Sequence, residues 1–162
     1  MSEGLYGERG WSVRAGVWRV LGVEPASDLT SFDDLGPREA ARLMEILPAA
    51  QLQDRQNAGP SLGRVLGACV ASGGSMRLCG DVIAPQRCDE RVTISALWVA
   101  DADLVVMQQE QVSDDEDGAV SRRVWDLVEQ RYDLDAEAMP DELQIASRGS
   151  RGGQLGTWMW WD

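Results

Sequence analysis

The chain has 162 residues, of which 44% are hydrophobic and 26% charged, proportions that fit one globular domain over 1–162 and not a disordered chain. It has 27 acidic residues, 15 basic residues that are all arginine, and no histidine or lysine, for a net charge of −12. Those absences exclude histidine-based triads, Schiff-base chemistry and Walker-type phosphate loops.

No run approaches the apolar length of a membrane span. The opening MSEGLYGERGW lacks the apolar centre of a signal peptide, so the cytoplasm is the expected location.

The first half, 1–74, reads as mainly helical. In VRAGVWRVL, 13–21, Val13, Val17, Val20 and Leu21 share a helical face, with Ser12 before and Gly22 after. On that helix Trp11 and Trp18 lie off the apolar stripe, which marks them as a candidate exposed patch for a partner. Residues 37–47 predict a second helix. Pro37 fits its first position, and Ala40, Leu43, Met44 and Leu47 follow the i, i+3, i+4, i+7 spacing. Pro48 ends it and opens a short helix.

Gly59–Gly63, GPSLG, matches the G-x-S-x-G pattern of a nucleophile elbow. An elbow needs a strand before its serine and a general base beside it. Here the preceding QLQDRQNA is polar, and no histidine or lysine exists. Leu62, Val65, Leu66, Cys69 and Val70 instead place Ser61 at the start of an amphipathic helix ending at Gly73-Gly74.

From residue 75 the period shortens to two. SMRLCGDVIAP and RVTISALWVA predict two strands joined by the loop PQRCDE. DLVVM, 103–107, predicts a third strand. The acidic stretch 108–118 reads as a loop, and 119–132 as a helix with Val120, Val124, Leu127 and Val128 inward. LQIAS, 143–147, and QLGTWMWW, 154–161, are the last strands, joined by RGSRGG. The expected class is α+β: an antiparallel sheet of four to five strands with helices packed mainly on one face.

Cys69, Cys79 and Cys88 form no CxxC pair and have no histidine to complete a zinc set, so reduced thiols are expected. Cys69 belongs to a core stripe. Arg87 and Arg91 flank Cys88, but Asp89 and Glu90 oppose their effect. The 114–117 run fails the EF-hand test, because its loop would start at Ser113 and end at Val124. No cofactor or metal motif is present.

The charge is uneven. Residues 101–142 hold 14 of the acids against Arg122, Arg123 and Arg131, so nearly all the excess sits in a quarter of the chain. The expected function is therefore a non-catalytic acidic interaction module, a regulator or inhibitor. It would present 101–142, centred on Asp114, Asp115, Glu116 and Asp117, to a basic protein partner, in its sharpest form as a nucleic-acid mimic.

Two other classes stand beside it. One is a carboxylate enzyme, with or without a metal ion, using Asp81, Asp101 and Asp103, with Asp89 or Glu90 as further acids. The other is direct nucleic-acid binding through Arg87, Arg91, Arg148 and Arg151, which the net charge disfavours.

Overall fold

The structure, a computed structural model, describes residues 3–110 and 118–162. The fold is α+β, with an antiparallel five-stranded sheet and a separate two-stranded hairpin. The hairpin pairs β1 (Glu3–Gly4) with β2 (Gly7–Glu8). Two short helices follow, α1 (Trp11–Ala15) and α2 (Val17–Leu21).

The single helix expected over 13–21 is broken. Gly16 between the two takes φ +83, a left-handed conformation that only glycine adopts cheaply. The break redirects the side chains. Trp11, Val17 and Trp18 turn inward at 0–8% exposure, and Val13 turns out at 53%. The tryptophan patch expected on this segment is therefore core. The apolar stripe presumed one continuous 3.6-residue period, and the break at Gly16 interrupts it.

Strand β3 (Leu29–Leu35) has no counterpart among the predicted elements. Its letters LTSFDDL hide the alternation, because a bulge between Phe32 and Leu35 puts Asp33 and Asp34 opposite one position of β4. Helix α3 (Pro37–Ile46), the short α4 (Ala49–Leu52) and α5 (Leu62–Ala71) follow the predicted pattern. Strands β4 (Met76–Ile83) and β5 (Val92–Val99) form the predicted hairpin.

Residues 103–107 are not a strand. They belong to helix α6 (Ala102–Glu110). The β-branched pair Val105-Val106 misleads because β-propensity reports fit to a pleated surface more than a backbone preference. Here Asp101 accepts from the amides of Leu104 and Val105. Gln108 Nε2, one turn on from Leu104, donates to Thr157 Oγ1 at 2.8 Å. That contact ties α6 to the sheet. Helix α7 (Ala119–Tyr132) and strands β6 (Glu142–Arg148) and β7 (Gln154–Trp160) complete the chain, with a 3₁₀ turn at Gly149–Arg151.

The strand order is β3-β4-β5-β7-β6, antiparallel throughout. Leu78, Val82, Leu97, Val99 and Met159 point to one face and join Leu43, Leu66, Val124 and Val128 from the helices in one core. The opposite face carries Cys79, Ala96 and Trp98, buried yet outside that core.

A fully buried tryptophan on a face without helices needs a cover, and the sheet supplies it by coiling. Strands β3 and β6 are opposite edges, about 19 Å apart in a flat sheet at about 4.8 Å per strand. Yet Arg148 of β6 reaches Asp33 of β3 at 2.7 Å. The two bulges, on β3 and between β4 and β5, add the twist that brings these corners together. Gly156 lies beneath the ring of Trp98. A Cβ there would sit 2.3 Å from Trp98 Cε2 and 2.4 Å from the Val99 carbonyl.

No helix among the described residues is long and apolar enough to cross a membrane.

Candidate functional site

The acidic window 101–142 spans α6, α7 and the start of β6. Asp114, Asp115, Glu116 and Asp117 lie outside the described residues. Among those described, the carboxylates fall into two groups.

The first group is neutralised internally. Arg131 bridges Asp101 and Asp103 at 2.7 and 2.8 Å, and the Tyr132 hydroxyl donates to Asp101 at 2.9 Å. The Arg131 bond holds Asp103 below its ordinary pKa and raises that of Arg131. Asp133 pairs with Arg64, and Asp135 and Glu137 pair with Arg55.

The second group comprises Glu110, Asp126, Glu129, Asp141 and Glu142, which have no guanidinium partner among the described residues. Asp126 and Glu129 are on α7. Asp141, Glu142 and Gln144 line a surface groove of about 350 Å³ together with Ser121 of α7, so the first turn of α7 and the start of β6 are adjacent. The pKa of Glu129 is raised, by burial first and then by the charges of Asp126 and Asp135. Burial is the larger cause, and the neighbouring carboxylates add to it.

The carboxylates suggested for catalysis are dispersed. Asp81 pairs in register with Thr93 near the start of β5 and accepts from Ser31 Oγ at 2.6 Å. Asp101 and Asp103 lie past the other end of that strand and are held by Arg131. The described residues contain no group of three metal-ligating side chains. Asp89 is bound by Arg87 and Arg91.

Glu90, 1% exposed, has a structural duty. It accepts from the amides of Gly10 and Ser12 and from Ser12 Oγ at 2.5–2.8 Å. Ser12 Oγ in turn accepts from Trp18 Nε1. This network satisfies the first turn of α1 and draws Trp18 inward.

Ser61 heads α5 as its N-cap residue. Its amide and hydroxyl donate to the two oxygens of Asp135 at 2.8 and 2.7 Å. Burial opposes ionisation of Asp135, but these bonds outweigh it and its pKa falls below the ordinary value. The helix end is thus occupied by the protein's own carboxylate.

The four arginines named for nucleic acid are not gathered on one surface. Arg87 and Arg91 serve Asp89, and Arg148 closes the sheet. Its Nη1 donates to Asp33 Oδ1, its Nη2 to Cys79 Sγ at 2.9 Å, and its guanidinium lies 5.5 Å from the Trp158 ring centroid. Cys79 Sγ also donates to Asp33 Oδ1 at 2.6 Å. Burial and the Asp33 bond push the Cys79 thiol up to about 11, and burial pushes Cys69 up to about 12. Neither supplies a thiolate near neutral pH. Cys88 is exposed.

Comparison of the chain with family models, with curated proteins and with solved structures gives no match.

Proposed function

We propose that this protein is a non-catalytic interaction module whose α7–β6 side engages a protein partner with a lysine- and arginine-rich surface. The observation that supports the reading is the partition of the carboxylates. Asp126, Glu129, Asp141 and Glu142 form no ion pair among the described residues, whereas the other described carboxylates of the window except Glu110 are tied to arginines, and free surface carboxylates steer cationic surfaces and set association rates. A nucleic-acid mimic would hold its carboxylates free for a basic groove. Here Asp101, Asp103, Asp133, Asp135 and Glu137 are tied to arginines, which favours an ordinary protein partner. The acidic stretch Asp114–Asp117 falls in sequence between α6 and α7 and adds four charges to the same window.

The test compares two charge-reversed proteins for binding to a lysine- and arginine-rich peptide, with a host-lysate pull-down run alongside at about 0.1 and 0.5 M salt. One protein carries Asp126→Lys and Glu142→Lys, the other Glu3→Lys and Glu24→Lys. Binding that weakens with salt and with the first pair only supports the reading. Equal loss with both pairs, or no salt-sensitive partner, removes it.

A further inference from the structure

A second feature lies away from α7. The turn between β1 and β2, the end of α4 and the start of β5 enclose a cavity of about 20 Å³, room for about one water-sized group. Its floor carries Gln51, 1% exposed. Gln51 Nε2 donates to the Val92 carbonyl at 2.7 Å, which fixes the amide orientation and leaves Oε1 buried with no donor. An unmet buried acceptor is costly. At the exposed side lies Asp54, whose carboxylate accepts from the Tyr6 hydroxyl. Burial and this bond push the Tyr6 pKa up to about 12, so Tyr6 keeps its proton and its bond to Asp54.

Two arginines line the same cavity, and each is matched elsewhere: Arg55 by Asp135 and Glu137, and Arg91 by Asp89. Asp54 has no guanidinium partner among the described residues. The cavity therefore joins an unneutralised carboxylate, a buried amide oxygen and a phenol oxygen, with Leu62 and Ile94 as apolar wall. These three oxygens belong to lining residues of a space too small for a guanidinium.

From this geometry we infer that the cavity binds a primary ammonium group, with two N–H donors directed at Gln51 Oε1 and Asp54 and the attached carbon facing the exit. The source is a small alkylamine or a lysine side chain. The inference does not depend on the role assigned to α7.

Methylammonium chloride titrated into the intact chain, followed by the side-chain amide resonances of Gln51, tests it. Sodium chloride and tetramethylammonium chloride at matched ionic strength are the controls. The expected result is a saturable shift with methylammonium alone, weakened roughly tenfold or more by Asp54→Asn, the loss of one charged hydrogen bond. Gln51→Met removes the acceptor at similar volume and gives the same loss if the variant keeps its thermal midpoint. Asp54, being exposed, supplies the variant that folds in any case. Capped Gly-Lys-Gly and Gly-Arg-Gly peptides separate the sources: a response to the lysine peptide assigns a side-chain site, and a response to methylammonium alone assigns a free amine. A methylammonium effect equal to that of sodium, or unchanged by Asp54→Asn, overturns the inference and leaves the cavity holding ordered water only.

Discussion

Replacing Arg148 with methionine probes how the helix-free face is closed. The side chain is 12% exposed, so the substitution removes buried interactions and retains most of the stem packing. The ion pair with Asp33 is discounted, because Asp33 is 69% exposed and rehydrates when its partner leaves, which leaves about 0.5–1 kcal/mol. The contact with Trp158 contributes about 0.5–1 kcal/mol. The bond to Cys79 adds at most about 1 kcal/mol, since sulfur is a weak acceptor. The expected total is about 2 kcal/mol, or about 4–8 °C in midpoint for a chain this size.

The effect has a pH dependence of known sign. Burial opposes ionisation of Asp33, but the Cys79 and Arg148 bonds outweigh it and set its folded pKa below the ordinary 3.8. A depressed carboxylate contributes stability above its unfolded pKa and loses it as pH falls through the folded value. The ion-pair part of the cost should therefore persist at pH 7 and fade below about pH 4. Urea unfolding of both proteins at pH 7 and pH 3, followed by tryptophan fluorescence, measures this. A cost below about 0.5 kcal/mol at pH 7, or one that grows on acidification, would refute the idea that Arg148 holds the coiled sheet shut.

Three further outcomes follow from the same geometry. Gly156→Ala places a Cβ 2.3 Å from Trp98 and 2.4 Å from a strand carbonyl, so it should cost about 2–4 kcal/mol in urea unfolding. Asp135→Ala leaves the amide and hydroxyl of Ser61 without their acceptor and should cost about 1–2 kcal/mol, detectable as a lower thermal midpoint at pH 7. Its effect should shrink below about pH 4, because the Asp135 pKa is depressed. Finally, iodoacetamide at pH 8 should label Cys88 in the native protein and all three cysteines in urea. Labelling of Cys69 or Cys79 at a comparable rate without denaturant would contradict their raised pKa values.

The amino-acid sequence by itself determines the α+β class and the elements with an unbroken period, because periodicity is local information. Pro37–Ile46, Leu62–Ala71 and the β4–β5 hairpin are legible for that reason, as is the serine of GPSLG heading a helix. The tertiary structure alone decides the rest. Strand β3 is invisible behind its bulge, and α6 overrides the β-propensity of its valines through its contact with β7. Trp11 and Trp18 go inward because Gly16 breaks the helix and a distant carboxylate, Glu90, binds Ser12. The carboxylates of 101–142 look alike as letters. Which of them stay uncompensated depends on where Arg55, Arg64 and Arg131 arrive in space, and no one-dimensional pattern encodes that distance.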